Sequence, residues 1–550
     1  MNFIRFVKVS FCMMCILILF TACASKANKG NDILPTNQDP ADQALISNPA
    51  LSRSGALVVA APDITTTFNP LFAQSKVDRW LEDLVFDGLF VFNDSGELEG
   101  ALAESWTSSE DGLVYTVHLK EAITFHDGSP LTAKDVVFTY ETIMNEAYVG
   151  TYAKNATYLS SFEAVDDYTM IFTFKSEHME NLKALIMPIL SEEHYRFSNW
   201  SAFVEGFRTP LGTGAFKFES YSQDESIVLL KNPDYWNTSA KISGIIIRQM
   251  DDETALQAFN EGKIDLLEIK TSKAIVNDVK ALGFGNVMTK NTDLVTFIGI
   301  DWQAPIFSEA NVRKALLIGL DREQFILDQW SGFASSVSYL ATDPHEYTYE
   351  NENLEMYTYD FDKANQLLDE IGWRDYDGDG FREKNGERLA LTWYVFTDVE
   401  WSYNLALQAS KQWEKLGFRV ELIFGDYETM IAQLEDDAIP TVWNLAWEMS
   451  SDINPEILFG LGDAGIYNYA KYEDSDAQVI FDDLHAAKSE GEREALLREW
   501  HIVQNEALPY LPIAKLKTIW AYNSRLRNLS LDENKNWTDQ ITLLEIDVLQ

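Results

Sequence analysis

The sequence predicts an α/β protein built from more than one domain, and three observations predict it. Segments of period-two alternation and segments with apolar residues at helical spacing succeed one another through short links. The chain has 550 residues, too many for one small core. Its composition, 46% hydrophobic and 13% aromatic, suits packed cores rather than disorder.

Residues 1–22 read as a signal segment. Arg5 and Lys8 precede an apolar run from Val9 to Phe20, 12 residues long and too short to cross a bilayer as a helix. The run closes in Leu19-Phe20-Thr21-Ala22-Cys23, which looks like a bacterial lipoprotein cleavage box with Phe20 in the usual place of Leu. Diacylglyceryl transfer to the Cys23 sulfur, then cleavage before it, would anchor the chain. The competing reading is an ordinary signal peptide with an incidental cysteine. Cys12 and Cys15 fall inside the signal and no cysteine follows Cys23, so the folded part carries no disulfide. Residues 23–54 are polar and aperiodic, and are expected to form a flexible tether.

The globular part is expected from residue 55. Ala56 to Ala60 reads as a short strand, and Arg79 to Phe92 as a helix burying Trp80, Leu84 and Val85. Val114 to Leu119 alternates as a strand between the turn dipeptides Asp111-Gly112 and Asp127-Gly128. Thr132 with Asp135 reads as a helix N-cap. Ile171 to Phe174 is a strand, Gly212 to Phe218 a turn leading into another, and Ile227 to Leu230 its partner. Asp251 caps a helix that stops at Gly262, and Ile264 to Ile269 is a strand. Ser308 is expected to cap a helix running to Leu320. Lys363 to Ile371 is helical and ends at Gly372, and Leu389 to Phe396 is a strand. A helix from Tyr403 to Leu416 closes at Gly417, with a strand from Phe418 to Phe424 after it.

The formal charge is −43, from 43 Lys+Arg against 86 Asp+Glu. Such a surface excludes nucleic acid as a partner, because phosphates need a basic patch, and it repels an anionic membrane. It reads either as a self-repelling soluble surface or as a field that draws cationic ligands.

The string from Glu104 to Tyr140 resembles the signature of the extracytoplasmic solute-binding proteins of peptide- and nickel-type ABC importers. So do Pro210 to Phe216, Lys231 to Trp236, Ala258 to Asp265, Asn311 to Ala315 with Leu320 to Glu323, and Ala364 to Trp373, in that order. The resemblance implies a two-lobed periplasmic-binding-protein-like fold of type II, with a ligand cleft between the lobes. The first lobe would comprise 55–75, 205–300 and 505–550, with 76–204 an inserted subdomain, and 301–504 would form the second. It further implies a monomer that is not an enzyme. The protein would stand outside the bacterial cytoplasm on its lipidated Cys23, carry a peptide or other small solute, and hand it to permease subunits. A sensing lipoprotein without transport, and a receptor for a nickel chelate or sugar, remain as alternatives.

Enzyme motifs are scarce. No His-Glu-x-x-His, Gly-x-Ser-x-Gly or phosphate loop occurs. Gly212-Thr213-Gly214 precedes a strand, so it serves a turn or hinge rather than an anion. His126 reads as a hydrogen-bonded structural histidine ahead of a ligand. The loop Asp375-Tyr376-Asp377-Gly378-Asp379-Gly380 starts like a calcium loop, with Asp375, Asp377 and Asp379 as ligands. Its twelfth position is Gly386, so Glu383 or Glu387 would substitute; otherwise the aspartates bind their own backbone. No other cofactor is expected. By the resemblance, the ligand site centres on Trp447, Glu448 and Asp452, with Asp452 either pairing with a ligand ammonium or capping the next helix. Trp447 either stacks on ligand or packs in the core. Thr65, Thr66 and Asn69, on the loop after the first strand, are expected polar contacts.

Overall fold

The computed structural model describes residues 48–549, apart from 94–97, 177–180, 206–208, 341–353, 436–440, 449–454, 463–464, 488–489 and 530–535. The signal segment, Cys23 and Asp452 lie outside the described residues.

In chain order the principal strands are β1 (Ala56–Ala61), β2 (Ala103–Ser108), β3 (Val114–Leu119), β4 (Leu159–Asp166), β5 (Thr169–Phe174), β6 (Phe216–Ser222), β7 (Ser226–Lys231) and β8 (Gly244–Gln249). They continue with β9 (Leu266–Ile269), β10 (Gly285–Ile300), β11 (Ala334–Ser336), β12 (Ala390–Phe396), β13 (Arg419–Gly425), β14 (Val442–Glu448) and β15 (Tyr510–Asn523). Eleven of them form one sheet in the order β13-β12-β14-β10-β15-β9-β1-β8-β7-β6, with β11 on β15. The other four make a separate antiparallel sheet, β2-β3-β5-β4, inside the expected inserted subdomain. The principal helices are α1 (Lys76–Val85), α2 (Ala133–Ile143), α3 (Asp252–Asn260), α4 (Ala310–Ile318), α5 (Arg322–Trp330), α6 (Phe361–Glu370), α7 (Glu400–Lys415) and α8 (Tyr427–Glu435).

Local chemistry sets these elements. Thr132 and Asp135 form a capping box at α2, with the Thr132 amide donating to Asp135 at 2.9 Å. Asp251 caps α3 through the Thr254 amide. Gly372 and Gly417, at φ 89° and 91°, close α6 and α7 in the left-handed conformation that glycine adopts without strain. Ser308 does not cap α4. Its hydroxyl bonds back to the Pro305 carbonyl at 2.7 Å, closing the turn Pro305–Phe307, and Glu309 takes the cap position. The helix expected over Arg79 to Phe92 ends at Val85, because Phe90–Phe92 pairs with Leu98–Gly100. Gly212 and Gly214 serve close packing at the turn into β6. A Cβ on Gly212 would meet the Val85 carbonyl at 2.0 Å, and the Gly214 amide bonds that carbonyl at 2.9 Å.

The cores divide at two strands. β10 and β15 are antiparallel neighbours that run through the whole sheet, with a register shift between Asn291 and Val295. Beyond the shift, Ile298, Ile300, Leu511 and Ile513 pack with α4 to α7, while Val295, Phe297 and Tyr510 pack with Trp443 and Trp500 on the other face. Before it, Ile519 and Ala521 pack with α3, and Trp520 joins α1 and the inserted subdomain. The crossing from one set of cores to the other therefore lies inside these strands, near 291–295 and 515–517.

The residues just before 55 are also packed into the fold. Pro49–Ser52 is a 3₁₀ turn with Ala50 and Leu51 buried, and Asn48 donates to Asn523 at 2.6 Å. Residues 48–52 thus pack against the end of β15.

Candidate functional site

Strand direction locates the site. In the first lobe β1 runs parallel to β8 and β9, and in the second β12 runs parallel to β13 and β14. The carboxyl end of β9 pairs Ile269 with Ile519, which faces Thr289 on β10. The carboxyl end of β14 pairs Glu448 with Leu294 and Trp447 with Val295, on the same strand. Both parallel sets therefore point their carboxyl ends at the crossing from opposite sides. Open α/β sheets bind ligands at such ends, where loops replace the ladder and backbone groups are free to orient.

From the first lobe, the loop after β1 carries Thr65, Thr66 and Asn69. Thr65 is exposed, and its hydroxyl and amide donate to Asp63 at 2.7 and 2.8 Å, bonds that hold the Asp63 carboxyl below its usual range. The Thr66 hydroxyl donates to Asp78 and accepts the Phe68 amide. Asn69 is buried and its side-chain oxygen caps the turn Pro70–Phe72 through the Leu71 amide at 3.2 Å, a scaffold position. Beside this loop, Lys76 at the start of α1 pairs with Glu268, the penultimate residue of β9, and its ammonium lies 4.9 Å from the Trp520 ring centre. Neither residue stands out in the sequence, because a Lys opening a helix and a Glu in a strand are common.

From the second lobe, Trp447 is half-buried, its ring centre 5.0 Å from that of Tyr467, which in turn lies 6.2 Å from Tyr469. Burial pushes the Tyr469 hydroxyl up, and Glu435, Tyr467 and Tyr427 add to the push. Trp447 thus packs against neighbours and keeps an open edge. Glu448 is exposed on the alternate face of β14. A recess of about 590 Å³ opens beside it, walled by Phe396, Trp401 and Tyr427 and floored by Leu445 and Ala446. Phe396 meets Trp401 and Tyr427 edge-on at 5.8 and 5.5 Å. Asp398, Asp426 and Glu428 rim it. Among 86 acidic residues nothing local marks these three.

The metal-like loop lies elsewhere. Asp375, Asp377 and Glu383 each bring one oxygen within 4.8 Å of the others, so of the two substitutes Glu383 is the one that approaches. Asp379 is not in that group and pairs with Arg388 at 2.6 Å. The carboxylates already accept backbone amides: Asp375 from Gly378 and Gly380, Asp377 from Asp379, and Glu383 from Tyr376. His126 bonds the Gly214 carbonyl at 3.0 Å, and burial brings its pKa down to about 4. A second cavity, of about 620 Å³, sits at the carboxyl end of α1 among Glu82, Asp83, Asp87 and Trp236, and none of the strand-end residues lines it.

Residues 97–460 match the profile of the bacterial extracellular solute-binding proteins, family 5 (middle region). The oligopeptide-binding protein AppA of Bacillus subtilis strain 168 is 25% identical over 518 residues, covering 89% of this chain and 88% of its own. The structure of AppA from Bacillus subtilis in complex with a nonapeptide superposes with a TM-score of 0.65 at 22% identity, over 90% of this chain and 99% of that one. NikA from Brucella suis, in complex with Fe(III)-EDTA, superposes at 0.75 with 20% identity, over 89% and 99%. These likenesses establish the two-lobed solute-binding fold, and among the described residues no helix is long and apolar enough to cross a membrane. With the profile spanning more than half of its length, and its sheet turning two sets of strand ends onto one crossing, the chain belongs to the bacterial extracellular solute-binding proteins of family 5.

Proposed function

We propose that this protein is the solute-binding lipoprotein of an ABC importer, capturing an oligopeptide or dipeptide outside the cell and delivering it to the permease. The observation that carries the reading is the convergence of both lobes' strand ends on the crossing of β10 and β15, with the Trp447–Tyr467 shelf on one side. Two strands joining two separately packed lobes make a hinge, so closure encloses what binds between them. Relatives named oligopeptide-binding proteins, AppA of Bacillus subtilis and OppA of Lactococcus lactis, support a peptide as the solute. The chain binds and releases without covalent chemistry. Cys23 carries the lipid that anchors the chain.

The test is to incubate the purified chain with a mixed peptide pool, isolate the complex and identify its ligand by mass spectrometry. Reproducible enrichment of particular peptides is expected; no enrichment over a heat-unfolded control refutes the peptide assignment. Mass spectrometry of the membrane-extracted protein tests the anchor, which predicts a lipid adduct at Cys23 and none in a Cys23→Ser variant. The loop from Asp375 to Gly380 acts as a self-closed turn, because backbone amides and Arg388 supply the positive partners that a cation would bring. Millimolar calcium should leave its melting temperature unchanged.

A further inference from the structure

Resting on the peptide reading above, we propose that the recess beside β14 is a side-chain subsite for a cationic residue of the ligand, lysine or arginine. Three features make the case together. The first is its walls. Phe396, Trp401 and Tyr427 meet edge-on, and Tyr427 remains 46% exposed, so ring surface is offered to an incoming group. Aromatic faces carry negative potential and attract an ammonium or guanidinium, while the alkyl stem of either side chain packs on the apolar floor.

The second is its charge. Among the described residues, Asp398, Asp426 and Glu428 line the recess and no Lys, Arg or His does. Their commitments are partial. Asp398 accepts the Tyr427 amide at 2.6 Å through one oxygen, and Asp426 accepts the Thr429 amide and hydroxyl at 2.7 and 3.0 Å, which hold its carboxyl below the usual range. Three carboxylates about one recess repel each other until a cation arrives. Their oxygens do not converge as a metal site does: among the described residues the only group of acids close enough to hold an ion is Asp375, Asp377 and Glu383. Spread carboxylates over aromatic walls suit an extended organic cation rather than a metal.

The third is continuity. Leu445 floors the recess and lies on the same face of β14 as Trp447, and Phe396, Trp401, Trp447 and Tyr469 pack with it in one cluster. A peptide lying on the Trp447 shelf therefore reaches the recess with one side chain. The overall charge of −43 adds a long-range field of the same preference.

The experiment uses the full-length chain with two kinds of probe. Tetrapeptides that differ at one residue only, Lys, norleucine or Glu, are titrated calorimetrically, and arginine amide is followed by equilibrium dialysis. The wild type should bind the best Lys peptide at least tenfold more tightly than its norleucine twin, and Glu versions weakest. In an Asp398→Asn/Glu428→Gln variant that ratio should fall to within twofold. Both substitutions are on exposed side chains and keep their shape, so folding is maintained, and circular dichroism checks it. Peptides that bind without distinguishing Lys from norleucine overturn the subsite and leave the peptide reading intact. If no tetrapeptide binds, arginine amide decides. Saturable, salt-sensitive binding that the variant loses sustains the cation recess while the peptide reading falls, and no binding overturns the recess as well.

Discussion

Arg525 and Asp265 are 260 positions apart and both fully buried, which makes them the most consequential single contact to break. The guanidinium makes a fork to the carboxylate at 2.7 and 2.9 Å. Its remaining donors reach the carbonyls of Ala50, Ser54 and Ala56 at 3.0, 3.2 and 3.0 Å. Asp265 also accepts the Val58 amide at 2.9 Å and pairs with Arg53. This one cluster therefore ties β1, β9 and the end of β15 to a strap of residues 48–55 ahead of β1. Asp265→Ala leaves Arg525 buried without a counter-charge, which costs about 3–5 kcal/mol. Arg525→Met removes the charge and takes a donor from three carbonyls, of which that of Ala50 keeps the Arg53 amide, at about 1 kcal/mol for each one left bare, while the carboxylate keeps Arg53. Combining the two should cost less than the sum of the single changes, since neither charge is then left alone. Urea unfolding followed by tryptophan fluorescence reads these differences through Trp520 and Trp537, which sit in the same lobe. Limited proteolysis should cut first within 48–55 in each variant. A loss below about 1 kcal/mol for Asp265→Ala, with the strap still resistant, would refute the reasoning.

Gly299 lies opposite Trp443 on β14, and a Cβ there would meet the indole at 2.2 Å. Gly299→Ala should therefore cost about 1–3 kcal/mol by overpacking, read as a lowered urea midpoint. Glu82, beside the cavity at the end of α1, has its pKa raised by burial to about 7 from 4.5, against the pull of the Tyr152 hydroxyl. The folded state holds a proton that the unfolded chain releases, so this group's contribution is complete below pH 4.5 and is lost as pH rises to about 7. Glu82→Gln should flatten that slope, worth on the order of 2–3 kcal/mol, in unfolding measured across the window; an unchanged slope counts against it. Trp447→Ala removes the shelf on which Tyr467 rests and should weaken ligand by roughly tenfold to a hundredfold in calorimetry, with circular dichroism unchanged.

The legible part of this protein is local. The N-caps at Thr132 and Asp251, the glycine stops at Gly372 and Gly417, and the pairing of β6 with β7 depend on groups within a few residues of each other. The cap expected at Ser308 failed for the same kind of reason in reverse. A proline turn three residues upstream offered its hydroxyl a nearer acceptor. Of the site residues, Trp447 and Glu448 come to the strand ends that face the crossing, and Thr65 and Thr66 to the loop after β1, while Asn69 is spent on a cap. The recess could not be read from the sequence, because Asp398, Glu428 and the rings around them come from the ends of two strands, β12 and β13, and have no shared spacing.

By itself the sequence determined the α/β alternation, the caps and turns that bound its elements and the acidic charge, all of which arise from composition or from neighbours along the chain. Only the tertiary structure decided where the lobes meet, inside β10 and β15, and that Arg525 reaches back to Asp265 and the strap. It also decided that Phe396, Trp401, Trp447 and Tyr469 gather around one core cluster. The physical reason is that side-chain period and capping report on nearest neighbours, whereas pairing between distant strands is fixed by the burial of whole faces at once.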